Sequence, residues 1–220
     1  MRANSLLDGL DGIGTDWSGV ISDDRIPVHL ANMRVLERFG IAPMTLEEWL
    51  PQTTLSPREF FRNLGIMENS DVLFDEYRRQ YGALSERGIR PTPYHDARTF
   101  FETLVGLEFR PDVISSHPAE HLEAEAREYG IHPFVGHFVG TAKDKGQEIW
   151  RILASRGINP RRYAYLGDTI YDIQAARAAG VVAIGVATGY HSRERLAQAN
   201  PDLLIGSLSE LMHFMSARAA

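Results

Sequence analysis

The sequence contains no cysteine, which excludes a disulfide framework, a thiolate metal site and thiol catalysis. Lysine is almost missing too. Of 23 lysine and arginine residues only Lys143 and Lys145 are lysines, so chemistry that needs an ammonium group has two places to reside. No stretch approaches the ~18 consecutive apolar residues of a membrane-spanning helix. The first apolar run, Leu6-Leu7, is broken at once by Asp8 and Gly9, so no secretory signal is expected. Basic charge is not in excess either. A net charge of −6 and a pI of about 5.8 argue against a nucleic-acid partner, because neutralising phosphates takes a basic face. A cytoplasmic location with no membrane or nucleic-acid partner is the resulting expectation.

What is present is ordinary for a soluble globular chain: 220 residues, 44% hydrophobic, 24% charged, mean hydropathy −0.23. That length admits one large domain or a core with one inserted module. From Asp112 onward, short apolar runs alternate with segments of helical period. Strands are expected at 112–116, 134–139, 163–166, 181–186 and 203–205. Helices are expected at 119–129, 145–156, 170–179, 192–199 and 209–218, several stopped by glycine. Repeated strand–helix units imply a parallel sheet wrapped by helices. Between about Arg25 and Arg90 the pattern is helical only: 28–39, 46–50 behind Thr45-x-x-Glu48, 57–64 behind Ser56-x-x-Glu59, and 72–81 stopped by Gly82. The expected fold is therefore α/β, a Rossmann-like parallel sheet core (1–24 and 91–220) with an inserted helical module (25–90). Its first strand, within Leu10 to Thr15, is inferred from the chain that comes after it, because two glycines and little β-branching make a poor strand.

In parallel α/β sheets ligands bind beyond the carboxyl ends of the strands. The polar residues at those ends are Asp16, Ser115 with Ser116, a lysine near Lys145, and Asp168 with Asp172. Carboxylates with one lysine suit Mg²⁺ beside a phosphoryl group, whose remaining oxygens a hydroxyl and an ammonium can take.

Gly167-Asp168-Thr169-Ile170-Tyr171-Asp172 resembles the GDxxxD motif of the haloacid dehalogenase (HAD) superfamily, and Asp16-Trp17-Ser18-Gly19-Val20 resembles its DxDGT motif. Ser115 after Val113-Ile114 matches its hydroxyl motif and Lys145 its lysine, while the inserted helices resemble the superfamily's C1 cap. Lys143 competes for the lysine role. Lys145 is preferred because Ile149 and Leu153 follow it in helical register. The resemblance implies a phosphoric monoester hydrolase of the phosphoglycolate-phosphatase branch, acting on a small phosphorylated metabolite as a monomer or homodimer. It implies Asp16 as nucleophile forming an aspartyl-phosphate, and Mg²⁺ held by Asp16, Asp168, Asp172 and the main-chain carbonyl of Ser18. Ser115, Ser116 and Lys145 would bind the transferring group.

The departure is Ser18, where such phosphatases carry a second Asp as general acid and base. Serine cannot do that near neutral pH, and such help is worth about 10²–10⁴-fold. A phosphonoacetaldehyde hydrolase has a similar first motif but needs a cap lysine, and 25–90 contains none. A dehalogenase has no reason to keep GDxxxD, a P-type ATPase needs membrane spans, and a receiver-type phosphoacceptor needs no cap. The leading readings are a phosphatase with a modified acid–base step or a catalytically impaired HAD-like binding protein, with a phosphonatase- or dehalogenase-like hydrolase as the lesser alternative. Among other polar residues, Asp23 and Asp24 are candidates to replace the missing acid, though carboxylates just before a helix more often cap it. His117 and His121 read as two histidines without a third metal ligand, although His117 is close enough to Ser115 to touch substrate. His29 is a cap histidine to test as an alternative acid. Trp49, Phe60, Phe61 and Tyr77 read as the module's own core. Arg58, Gln52 and Thr53 lie near the segment expected to face the core; the arginine suits a substrate carboxylate or a distal phosphate, although an exposed helix arginine is the commoner reading.

Overall fold

The computed structural model describes Leu7, residues 9–53 and residues 57–216. The described chain divides into two compact units: Met1–Ser22 with Pro93–Ala220, and Asp23–Thr92. β2 (Ser22–Asp23) and β3 (Thr92–Pro93) form a two-stranded ribbon where the chain passes from one unit to the other and back.

The first unit is built on six parallel strands. They are β1 (Gly12–Thr15), β4 (Asp112–Ile114), β5 (His137–Val139), β6 (Tyr163–Gly167), β7 (Val182–Val186) and β8 (Leu203–Ile205), in the spatial order β5-β4-β1-β6-β7-β8. Its helices are α5 (Ala97–Gly106), α6 (Ala119–Glu128), α7 (Lys145–Arg156), α8 (Ile170–Ala178), α9 (Arg193–Gln198) and α10 (Leu208–Ser216). Alternation along β6 divides the core into two layers. Ala164 and Leu166 pack with Ile13, Phe100 and Phe101, whereas Tyr163 and Tyr165 pack with Ile149 and Ile173.

The glycines that made β1 read as a weak strand are what place it at the centre. A Cβ on Gly12 would lie 2.7 Å from the Tyr163 ring, and one on Gly14 2.5 Å from the Tyr163 hydroxyl. The two tyrosines of β6 pass over β1 to reach β4. Tyr163 donates to the Asp112 carboxylate at 2.7 Å, and Tyr165 donates to the Ile114 carbonyl at 2.7 Å. Asp112 also takes two hydrogen bonds from Arg156, at 2.9 and 2.7 Å. Gly14→Ala is accordingly expected to force Tyr163 off Asp112. Overpacking and the lost buried hydrogen bond should together cost about 2–4 kcal/mol. The check is the urea midpoint; a change under about 0.5 kcal/mol would show that the ring gives way freely.

The second unit holds α1 (Arg25–Arg38), α2 (Leu46–Trp49), α3 (Pro57–Asn63) and α4 (Ser70–Glu86), and no strand beyond its shares of the ribbon among the described residues. It is two residues wider at each end than the expected 25–90. Both halves of the Thr45/Glu48 capping box form. Its companion at Ser56 lies outside the described residues, as do residues 1–6 and the last residues of the expected 209–218 helix. Trp49, Phe60 and Phe61 are buried.

Several boundaries differ from the sequence reading, each for a local reason. α4 runs through Gly82 to Glu86 because Leu84, 1% exposed, extends its buried face; that burial outweighs the ~1 kcal/mol propensity cost of glycine. α1 begins at Arg25, since Pro27 lies in the first turn, where no intrahelical N–H is needed. Phe134 closes a 3₁₀ turn, His132–Phe134, so β5 starts only at His137. Asp24 occupies the α1 N-cap position but makes no capping hydrogen bond; Asp23 instead binds the Arg25 guanidinium at 2.8 Å through both oxygens.

Candidate active site

The register of the sheet brings separate parts of the sequence together. β1 and β6 are parallel neighbours with Thr15 opposite Leu166, so Asp16 and Asp168 leave the sheet side by side at its carboxyl edge. The Asp16 amide still bonds the Leu166 carbonyl at 2.8 Å, which continues the ladder up to the site. β4 lies on the other side of β1 with Val113 opposite Thr15, and Ser115 comes next, buried. α7 begins at Lys145 behind Asp144, whose carboxylate caps the Gln147 amide at 3.0 Å. α8 begins behind Thr169, which forms a reciprocal capping box with Asp172.

Asp16, Asp168 and Asp172 are all buried, and each offers a carboxylate oxygen within 4.8 Å of the others. Lys145 Nζ lies 2.6 Å from Asp16 Oδ2 and 2.7 Å from Asp172 Oδ1. Lys145, not the exposed Lys143, is therefore the lysine at the carboxylates. Both oxygens of Asp16 are held, since Oδ1 accepts the Trp17 amide at 2.7 Å. Asp168 is different: Oδ2 accepts the Tyr190 amide at 2.7 Å, while Oδ1 is buried without a hydrogen-bond partner. Two glycines permit this packing. A Cβ on Gly19 would lie 2.2 Å from Asp168 Oδ2, and one on Gly189 2.0 Å from the same oxygen. Gly19 also has φ +75°, where an L side chain is strained.

Burial pushes the carboxyls of both Asp16 and Asp168 above the ordinary aspartate value. Asp172 adds to both shifts. The Lys145 charge opposes them without cancelling them. Burial disfavours the charge on Lys145, yet the two carboxylates beside it hold its ammonium protonated well above the usual lysine value. Three carboxylates facing one ammonium leave a deficit of positive charge, and Asp168 Oδ1 lacks a donor. A hard divalent cation with oxygen ligands supplies both, so the donor set fits Mg²⁺.

Ser115 Oγ accepts the His117 amide at 3.1 Å. Ser18 stands half-buried in the turn after Asp16, bridged to Ser22. Ser116 is exposed on the loop beyond. His117 and His121 have ring centroids 6.3 Å apart and belong to no group of three possible metal ligands among the described residues; His117 Nε2 lies 3.3 Å from Glu125 Oε1. Glu125 is a residue that sequence reasoning missed. It also accepts from Trp17 Nε1 at 2.8 Å and Ser22 Oγ at 3.3 Å, tying the turn after Asp16 to the loop after Ser115. Burial raises its carboxyl, but the His117, Trp17 and Ser22 contacts outweigh that and hold it below the usual value. Nothing in the helical pattern of α6 marks Glu125 among its glutamates. Thr169 was legible, as the first residue of a T-x-x-D cap. Thr188, Tyr190 and His191 were legible only by place, since they lie after β7 at the carboxyl edge of the sheet.

In the second unit a cavity of about 440 Å³ is lined by residues including Val28, Asn32, Arg58, Phe61, Leu73 and Tyr77. Gln52 and Thr53 do not line it; they donate to the Glu48 and Leu50 carbonyls. His29 is buried, against the Met44 carbonyl at 2.9 Å and the Trp49 ring.

Comparison with known proteins gives a consistent result. The family model described as haloacid dehalogenase-like hydrolase matches residues 16–186. The chain is 24% identical over 124 residues to a phosphoglycolate phosphatase of Haemophilus influenzae, covering 54% of this chain and 55% of that protein. It is 25% identical over 155 residues to a phosphoglycolate phosphatase of Yersinia pestis, covering 68% and 65%. Such matches span about half to two thirds of these relatives. The fold superposes with a TM-score of 0.81 on a predicted phosphatase from Clostridium acetobutylicum, at 20% identity over 94% of this chain and 99% of that one. No helix among the described residues is long and apolar enough to cross a membrane.

Proposed function

The chain belongs to the haloacid dehalogenase-like hydrolase family, and on that premise we propose that it is a Mg²⁺-dependent phosphoric monoester hydrolase acting on a small phosphorylated metabolite. One observation carries the reading: three buried carboxylates and one ammonium meet at the carboxyl edge of the sheet, with Asp168 Oδ1 unpartnered. The names of the relatives supply the substrate class. Residues 25–90 take the part of the C1 cap.

In this reading the side chains of Asp16, Asp168 and Asp172 and the Ser18 carbonyl hold the metal. Bound there, Mg²⁺ would offset the negative charge of the phosphoryl oxygens and of the carboxylates around them. Asp16, oriented through both of its oxygens, forms a bond to phosphorus as the bond to the ester oxygen breaks. The alcohol leaves with a proton taken from water, since Ser18 has none to give near neutral pH. Water then adds to phosphorus, its proton taken by the hydroxide left from the first step, the bond to Asp16 breaks, and inorganic phosphate departs with Asp16 restored. Ser115 and Lys145 bind the phosphoryl oxygens, with Ser116 at the edge of that loop.

The first test is a phosphate-release screen of small phosphate esters with and without Mg²⁺; EDTA should abolish release reversibly. Independently of turnover, Mg²⁺ at about 100 times its Kd should stabilise the protein by about 2.7 kcal/mol, raising Tm by roughly 5–10 °C. A Tm that ignores Mg²⁺, with release unchanged in EDTA, would overturn the metal assignment. Ser18 favours one second reading, a HAD-like binding protein without turnover, which a Mg²⁺-dependent Tm shift with no release of phosphate from any ester would support.

A further inference from the structure

Beside the carboxylates lies a buried imidazole that the reading above does not use. His191 is 3% exposed and sits in the loop after β7. Its Nδ1 accepts the Ile170 amide at 3.0 Å, and its own amide donates to the Asp168 carbonyl at 3.3 Å. Two further hydrogen bonds lace the same loop to the site: Tyr190 N to Asp168 Oδ2 at 2.7 Å, and Thr188 Oγ1 to the Gly19 carbonyl at 2.6 Å.

The first amides of a helix have no partner within it. In α8 the capping box serves the amides of Thr169 and Asp172. Ile170 lies between them and would be left over; the His191 ring, arriving from another loop, takes it. A ring nitrogen that accepts carries no proton, so Nδ1 is bare and the proton of the neutral ring sits on Nε2. The ring thus fixes the start of the helix from which Asp172 projects, while its loop fixes the carboxylate of Asp168. One loop therefore sets the spacing of two of the three acidic groups.

We propose that His191 is a positioning residue for the metal-binding carboxylates, acting by capping α8 at Ile170 through Nδ1. The proposal rests on the metal reading above for its consequence and on the Ile170 contact for its cause, and the two are separable. Residues around a metal's ligands commonly alter its affinity about 10–100-fold when replaced. His191→Leu keeps an apolar body in the buried site but removes the acceptor. His191→Asn keeps an acceptor oxygen the same number of bonds from the backbone as Nδ1. His191→Gln moves it one bond outward.

The experiment is calorimetric titration of EDTA-treated protein with Mg²⁺ alone, paired with hydrogen exchange at the Ile170 amide. Mg²⁺ affinity should fall about tenfold or more in His191→Leu and His191→Gln, and stay within about twofold of wild type in His191→Asn. Exchange at Ile170 should speed up in the first two and not in the third. Unchanged affinity in His191→Leu would overturn the proposal. Equal losses in His191→Leu and His191→Asn would also overturn it, since ring packing rather than the acceptor would then matter. If wild type binds no Mg²⁺ the metal reading fails, and the cap stands or falls on exchange alone: an Ile170 amide as protected in His191→Leu as in wild type removes it. Should His191→Leu not fold, His191→Gln against His191→Asn gives the same contrast.

Discussion

Asp16→Asn is expected to lower phosphate release by at least about 10⁴-fold, the scale of loss when a covalent nucleophile is removed. The substitution changes one oxygen into an amide nitrogen and leaves the shape intact. The retained oxygen can still accept the Trp17 amide, and Lys145 keeps Asp172 at 2.7 Å. A neutral amide also lessens the repulsion among three buried carboxylates, which offsets the lost ion pair to Lys145. Fold and Tm should therefore be close to those of wild type without metal, while the Mg²⁺-induced rise in Tm shrinks because one charged ligand is gone. Assay with a nitrophenyl ester and circular dichroism on the same sample separate chemistry from folding. Release within about tenfold of wild type would remove Asp16 from the nucleophile role and leave it, at most, a metal ligand.

Ser18→Asp should act in the opposite direction, raising turnover of alkyl phosphates by up to the 10²–10⁴-fold that general acid–base help typically supplies. Without an acid at this position an alkyl oxygen must leave with alkoxide character or draw a proton from water. A nitrophenolate or an acyl carboxylate needs no such help, so its rate should gain far less. Wild-type rates should accordingly fall steeply as the leaving group becomes more basic, and the dependence should flatten in the variant. A fourth carboxylate beside Asp16, Asp168 and Asp172 also tightens the demand for a cation, so the comparison belongs at saturating Mg²⁺. Equal wild-type rates for alkyl and aryl esters, with no gain in Ser18→Asp, would mean that another group supplies the proton. His117, beside the Ser115 loop and facing Glu125 at 3.3 Å, would be substituted next. Asp23, Asp24 and His29, the last buried against Met44 and Trp49, would be substituted after it.

The course of the chain was largely legible because the sequence is locally consistent. Short continuous apolar runs, period-3.6 patterns and glycine stops are properties of neighbouring residues, and they mark α7, α8, β6 and β7 almost to the residue. The acidic residues of the site were legible for a related reason. A parallel sheet places the residue after each strand at one edge, so Asp16, Ser115 and Asp168 could be named once the strands were.

What the sequence left open depends on partners distant along the chain. β1 looked unfit to be a strand because its glycines are weak strand formers in isolation; only Tyr163 and Tyr165, far along the chain, show that those positions must lack a side chain. Helical register favoured Lys145 over Lys143, but its two short Nζ contacts, to Asp16 and Asp172, are contacts that no spacing rule supplies. Glu125 is one glutamate among several on α6 until Trp17, Ser22 and His117 converge on it. His191 is an unremarkable loop histidine until its ring meets Ile170. The sequence by itself determined which segments are strands and helices and which carboxylates crown them, because those depend on local pattern. Only the tertiary structure decided which glycines and which supporting side chains complete the site, because hydrogen bonds and close contacts form between atoms near in space, wherever they lie in the chain.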